Sequence, residues 1–491
     1  MLLIGILIII LIIGLIPEKA SSAFLNRIGT LMFLFSAILS YNDCLYDLSD
    51  PAISCYGGLW QITTINTAIV SFIYMMAILV LLLGEGPLNK KKSYKSEYPL
   101  IIALSTLGMI SLISSYDLIS FFLAIELQSL SLYIIATMYR ESESATSAGL
   151  KYFLLGGLSS GFILLGSSLL YGLTGITNFE AFYIIGSFEN EYSLGQIDLI
   201  LLIFAIGLLF KIASAPFHNW APDVYDGVPT LVTTWLAVLP KISLIIFMVE
   251  FYTNIFYNFY FWNFLFIICS FLSLLIGSIL GLSQNRIKRL LAYSTISHVG
   301  FMLLSLSVAS HQSIESLIFY LIQYSLTSLN IFYILIAFSH ILPSTTVGDN
   351  LIDKVQTLSQ LRAQFKIHPL LAFSFAISLF SMAGIPPCVG FFGKYLILLS
   401  AINDGRFSFM ILIAIITSVT SAVYYLKVIK TLHFYELPAP KVFQEDFSPA
   451  GSVQSLNLVY VNAFTVAILS LAIIFFILNP TPILNFIHLI S

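Results

Sequence analysis

Charge is what this sequence has least of. Only 9% of its 491 residues are Asp, Glu, Lys or Arg, against 58% that are hydrophobic. A soluble domain needs about a quarter of its residues charged to cover a wet surface, so soluble folds are excluded. The net charge is -3 and no long basic run occurs, which excludes nucleic acid as a partner. Cysteine is also scarce. Cys44, Cys55, Cys269 and Cys388 show no CxxC spacing, so neither zinc nor an iron-sulfur cluster is supported. Cys44 and Cys55 either pair in an external loop or remain two free thiols. There is no P-loop, no GxGxxG opening a strand-turn-helix unit, and no flavin or metal motif, so energy must reach the chain from a partner or an ion gradient. His298 and His311 stand thirteen residues apart on what reads as one helix. A second such pair is missing and His311 falls at the helix end, so haem is not expected.

What the chain has in abundance is lipid-length apolar sequence. Runs of about 17 to 25 residues are expected to cross a bilayer as helices. They read as spans at Leu2–Ile16, Phe24–Ser40, Gly58–Leu83, Pro99–Ser114, Asp117–Met138, Leu150–Tyr171 and Asp198–Phe217. The series continues with Pro229–Glu250, Phe256–Leu282, Leu290–Ser310, Ser313–Leu342, Pro369–Ile402, Phe407–Leu426 and Leu456–Leu478. The expected fold is an all-α polytopic membrane protein with about 14 transmembrane helices. Met1–Ile16 lacks a basic n-region and an Arg-rich transit pattern, so it is expected to remain as a helix. Such a start fits insertion where the protein is made, in a bacterium or inside an organelle.

The basic residues test this count independently, because Lys and Arg gather in loops on one side of a membrane. Loops after odd-numbered spans, with the first residues of the spans that follow them, hold Lys19, Arg27, Lys90, Lys91, Lys92, Lys95, Arg140, Lys151, Arg286, Lys288, Arg289, Lys354, Arg362, Lys366, Lys427, Lys430 and Lys441. The other loops hold only Arg406, while Lys211, Lys241 and Lys394 fall inside spans. A missed helix would scramble this segregation. Both termini are therefore expected opposite the basic face.

Two spans carry their own interruption. The seventh runs into Ala213-Ser214-Ala215-Pro216 and the twelfth contains Gly384-Ile385-Pro386-Pro387, and either sequence breaks a helix. Aligning Leu209-Phe210 with Leu379-Phe380 also matches Ala213 with Ala383 and Pro216 with Pro386, and puts Ser381 in the place of Lys211. That offset implies two five-helix units, spans four to eight and nine to thirteen, each with a broken helix. An odd number of crossings inverts the second unit relative to the first. The expected division is 1–98 for three leading helices, 99–250 and 251–435 for the repeats, and 436–491 for the last helix and tail.

The ionisable residues that lie away from the span ends are Glu126, Lys211, Lys241, His298 and Lys394. Each charge near a span centre costs on the order of 2.5 to 3.5 kcal/mol on insertion scales. A row of them at similar depth points to ion handling. For single residues plainer readings stay open. Glu126 with Lys211 is alternatively a buried pair that only fixes packing, His298 a core histidine, and Lys394 a side chain snorkelling to the interface. The chemical reading is a proton relay. A Glu-Lys pair at 4 Å and an effective dielectric of 20 is worth about 4 kcal/mol. Opening it is enough to drive a proton from Lys211 toward Lys241, His298 and Lys394.

The stretch from Lys211 through PFHNWAPDVYDGVPT to Leu239-Pro240-Lys241 resembles the antiporter-like proton-pumping subunits of respiratory complex I, in particular the NADH-ubiquinone oxidoreductase chain 2 family. Glu126-Leu127-Gln128-Ser129-Leu130, RIKRLLAYSTISHVGF from Arg286 and GIPPCVGFFGKY from Gly384 carry the same resemblance. It implies Glu126 and Lys211 as a coupling pair, Lys241 as central proton carrier, Lys394 as distal site and His298 between them. Cys388 departs from the small or aliphatic residue expected there. The resemblance also implies sibling antiporter-like subunits, other membrane-arm subunits and lipid as partners. No cofactor is expected on this chain, with NADH, FMN, iron-sulfur clusters and ubiquinone on the partner subunits. Localisation would be the mitochondrial inner membrane, with termini toward the intermembrane space, rather than a bacterial plasma membrane. Lysine at 394 separates the chain from the chain 4 branch, where glutamate is expected, and the short tail separates it from chain 5. Multisubunit sodium/proton antiporters share the expected fold and remain an alternative, and a passive assembly scaffold is a third reading that would not need the titratable row.

Overall fold

The computed structural model describes residues 2–15, 22–47, 53–83, 97–140, 142–182, 191–255, 260–341, 355–435 and 460–490. Lys19, Lys90, Lys91, Lys92, Lys95, Lys354 and Lys441 lie outside these residues. The first helices are α1 (Leu2–Leu15), α2 (Ser22–Asp47), α3 (Thr64–Leu83), α4 (Tyr98–Ile113), α5 (Leu118–Thr137) and α6 (Glu143–Thr174). A small antiparallel hairpin, β1 (Ile53–Cys55) with β2 (Trp60–Ile62), precedes α3. The third expected span therefore starts at Thr64, not Gly58, because Gly57 and Gly58 at φ 70 and 88 turn the hairpin instead of opening a helix. Cys44 and Cys55 are free thiols.

Helices α7 (Glu191–Ile212), α8 (Trp220–Gly227), α9 (Thr230–Ile255), α10 (Tyr260–Ser283), α11 (Ile287–Val308) and α12 (His311–Ile341) follow. Then come the one-turn α13 (Gln364–Ile367), α14 (Pro369–Ala383), α15 (Val389–Asp404), α16 (Ser408–His433), α17 (Tyr460–Phe475) and an unexpected α18 (Thr481–Ile490). Among the described residues nine helices are long and apolar enough to cross a bilayer, and three shorter apolar helices accompany them. The histidine spacing needs correcting: Ala309, at φ 53, ends α11, and His311 opens α12, so His298 and His311 sit on different helices.

Helix α9 is buried on every side, and α11 and α12 nearly so, whereas more than half of the apolar windows of α6, α10 and α16 face outward. A helix that is apolar all round belongs in the centre of a bundle, and these three central helices carry Lys241 and His298. Small residues let the helices meet closely. A methyl on Gly277 of α10 would stand 2.7 Å from the Ser297 nitrogen of α11, and one on Gly300 of α11 would stand 3.0 Å from the Leu274 nitrogen of α10.

Both expected breaks are present. Helix α7 stops where Ala213 takes φ 65 and α14 where Gly384 takes φ 84. Each ends in the same double hydrogen bond: Ala213 N to Phe210 O with Ser214 N to Leu209 O, and Gly384 N to Ser381 O with Ile385 N to Phe380 O. This is the αL helix stop that satisfies the last carbonyls. It makes Ala213 equivalent to Gly384, one residue away from the sequence match. In the backbone register Met382, not Ser381, stands where Lys211 stands.

Candidate functional site

Glu126 lies on α5 and Lys211 on the last turn of α7, with Lys211 Nζ 4.0 Å from Glu126 Oε1. The lysine is buried, while the carboxylate keeps about a quarter of its side chain exposed. At 4.0 Å this pair is at the edge of contact, a geometry that opens easily. Beside it lies a small cavity of about 20 Å³, lined by Lys211, Gln128, Tyr133, Tyr152, Trp220 and Pro240 among others. That is room for one water molecule. The cavity runs from Lys211 to Pro240, the residue before Lys241.

Lys241 is set by a proline inside its helix. Pro240 has no N–H, so the Leu236 carbonyl one turn back loses its helical donor, and Tyr225 of α8 donates its hydroxyl to that carbonyl at 3.4 Å. Tyr324 of α12 donates to Ala237 O at 3.2 Å. The Lys241 Nζ then lies 5.9 Å from the Tyr225 ring centre and 6.0 Å from that of Tyr324, between two ring faces that favour a cation. Gln128 of α5 braces the same turn, donating to Pro240 O at 3.5 Å and accepting from Ser243 Oγ at 3.3 Å. Lys241 has no carboxylate partner among the described residues.

His298 of α11 is held at both nitrogens. Its Nδ1 is 2.5 Å from the Tyr320 hydroxyl and its Nε2 is 3.2 Å from the Tyr425 hydroxyl. The Tyr324 ring lies 5.4 Å away, so one tyrosine touches both the Lys241 and the His298 surroundings. Lys394, on α15 beyond the second break, donates to the Ala383 carbonyl at 2.9 Å and lies 5.5 Å from the Phe301 ring. The carbonyl end of a helix attracts a cation. Lys394 therefore turns inward over the end of α14 rather than outward to an interface, and His298 is buried and hydrogen-bonded at both nitrogens, a geometry that a core histidine shares with a relay histidine.

The five expected residues lie along one buried row: Glu126 and Lys211, the water-sized cavity, Lys241 between Tyr225 and Tyr324, His298 between Tyr320 and Tyr425, and Lys394 set apart from His298 by the Phe301 and Tyr320 rings. The sequence reading missed Tyr225, Tyr320, Tyr324, Tyr425 and Gln128. Their signal was present, because tyrosine favours the membrane interface and Tyr320 and Tyr324 sit mid-span at helical spacing.

The basic loops converge on the far end of α8. Asp223 pairs with Lys151 at 3.1 Å and with Arg289 at 3.3 Å, while Asp226 pairs with Arg286 at 2.6 Å and with Arg289 at 3.0 Å. Lys288 donates to Val228 O at 2.7 Å. The polar turn after the first break is thereby tied to α6 and to α11, the helix of His298.

Broken helices flanking a buried row of lysines define an antiporter-like membrane subunit. The family described as NADH:quinone oxidoreductase/Mrp antiporter, TM, matches residues 115–421. The chain is 50% identical to NADH-ubiquinone oxidoreductase chain 2 of Rhizopus oryzae, covering 100% of this chain and 99% of that one. It is 38% identical to NADH-quinone oxidoreductase subunit N of Rhodospirillum rubrum over 74% of this chain and 72% of the relative. Among solved structures, a chain of respiratory complex I from Thermus thermophilus superposes with TM-score 0.77 at 26% identity, with 99% of both chains covered. A chain of the Mrp complex from Dietzia superposes with TM-score 0.83 at 18% identity, covering 99% of this chain and 95% of that one, a likeness of fold. This chain belongs to the NADH-ubiquinone oxidoreductase chain 2 family.

Proposed function

We propose that the chain translocates protons as a membrane subunit of respiratory complex I, with NADH:ubiquinone oxidoreduction carried out by other subunits. One observation carries the reading: five titratable residues stand in one row lined by tyrosine hydroxyls, ring faces and a water-sized cavity, with Lys241 and His298 on two of the three most buried helices. When the Glu126–Lys211 pair opens, Lys211 loses the anion that favours its charged form and gives up its proton through the cavity toward Lys241. Both His298 nitrogens face hydroxyls, so the ring accepts a proton on one side and releases it on the other. Lys394 receives it at the carbonyl end of α14.

Spans four to eight and nine to thirteen act in this proposal as two inverted repeats of 99–250 and 251–435, between leading helices 1–98 and tail 436–491. The chain sits in the mitochondrial inner membrane among sibling antiporter-like subunits, its termini toward the intermembrane space. It binds no cofactor itself, and NADH, FMN, iron-sulfur clusters and ubiquinone belong to its partners. The sodium/proton antiporter alternative shares the fold, but identity to chain 2 is 50% against 18% to the Mrp chain. The test is Lys241→Met in the whole complex reconstituted in liposomes, reading NADH oxidation and proton uptake together. Proton uptake is expected to fall at least about tenfold. Undiminished uptake would sink the relay, and sodium-driven proton flux without NADH would favour the antiporter.

A further inference from the structure

Between His298 and Lys394 the row has a gap. Tyr320 holds one His298 nitrogen, and the Lys394 ammonium lies over the ring of Phe301, which is itself 6.0 Å from the Tyr320 ring. Ring faces steady a cation but pass no proton. Gln323 stands three residues beyond Tyr320 on α12, hence on the same helix face, and is only 3% exposed. Its amide fills a notch on α15 made by two glycines. A methyl on Gly393, the residue before Lys394, would stand 2.9 Å from both Gln323 Oε1 and Tyr320 Cδ2, and one on Gly390 would stand 3.0 Å from Gln323 Nε2. Gln323 Oε1 is buried and has no hydrogen-bond partner among the described residues. An amide carbonyl left so is costly unless it serves something that enters the site.

We propose that Gln323 is the positioning residue that completes the relay, its Oε1 accepting a hydrogen bond from one water molecule lodged between the Tyr320 hydroxyl and Lys394. The inference rests on the proton-relay reading above. Protonated His298 gives the Nδ1 proton to Tyr320 oxygen as the tyrosine passes its own to the water. The water in turn passes a proton to the neutral Lys394 amine. His298 ends neutral, Lys394 charged, Tyr320 and water unchanged, and Gln323 never titrates. Gly393 carries no side chain where the amide and the Tyr320 ring stand, and Gly390 none because a methyl there would clash with the Ser381 carbonyl oxygen.

The test uses the whole complex in liposomes with three variants in parallel. Gln323→Met keeps the shape and removes the acceptor, Gln323→Asn keeps an uncharged amide acceptor on a shorter stem, and Lys241→Met reports on the relay as a whole. Proton uptake per NADH oxidised is expected to drop about tenfold in Gln323→Met, with a changed solvent deuterium effect, and to be kept in large part in Gln323→Asn. Full activity in Gln323→Met while Lys241→Met is dead would overturn the proposal and leave the relay standing, as would equal loss in the Met and Asn variants, which marks mere packing. Full activity in Lys241→Met overturns the relay and this inference with it. If Gln323→Met fails to assemble, Gln323→Leu carries the test, since it also removes the acceptor without adding bulk: uptake reduced below that of Gln323→Asn supports the proposal and unchanged uptake rejects it.

Discussion

Each lysine in the row is held by a different surrounding, and in the proposed relay those surroundings would set its task. Lys211 faces a carboxylate, Lys241 two tyrosine rings, and Lys394 a helix-end carbonyl. The carboxylate is the only partner that can carry full charge and move, so Lys211 is the natural control point. Tyr320 is the residue most open to test. Tyr320→Phe keeps the ring and leaves His298 Nδ1 without a partner in a buried site, a loss worth about 1–3 kcal/mol. Proton uptake should fall strongly while the complex still assembles on native gels. Tyr425→Phe, at the longer 3.2 Å contact, should cost less, and an equal effect of the two would contradict the assigned order.

Among the elements, α9 is the one whose local chemistry is least ordinary. Its internal Pro240 surrenders a helical hydrogen bond, and the freed Leu236 carbonyl draws Tyr225 across from α8. Pro240→Ala restores the N–H, lets the helix close on itself and releases Tyr225. The expected result is a helix as stable or more so, since an interior proline costs about 3 kcal/mol, with slower proton uptake because one wall of the Lys241 site has gone. Loss of assembly with no change in uptake per assembled complex would refute this. The paired breaks teach a lesson about register. Matching Leu-Phe and proline aligned Lys211 with Ser381, yet the helix-stopping hydrogen bonds put Met382 there. Chain geometry at the stop, not residue identity, sets the equivalence. Either register leaves Lys211 without a lysine opposite, so in the proposed relay the two halves would perform different steps.

Over the whole molecule, the ion-pair cluster at Asp223 and Asp226 joins the first broken helix to the helix of His298. In the proposed relay, opening the Glu126–Lys211 pair would reach α11 through these ion pairs. Asp226→Asn removes two arginine contacts from a largely buried carboxylate. Because Arg286 and Arg289 are themselves about half exposed, the expected loss is about 1–2 kcal/mol rather than the larger cost of a fully buried pair. It should show as a lower melting temperature of the detergent-solubilised complex and weaker coupling of NADH oxidation to proton uptake.

Membrane class and the five ionisable positions were readable from the chain alone, because apolar length and a charge within an apolar run are local properties that lipid makes costly. The places where the helices break were readable too, since glycine and proline act on their own turn. The tertiary structure decided which of 26 tyrosines turn their hydroxyls to the row, that Lys394 points inward, that His298 and His311 lie on separate helices, and that Gln323 fills a glycine notch. Those facts depend on how each helix is rotated against its neighbours, and a buried polar group finds its partner across helices rather than along the sequence.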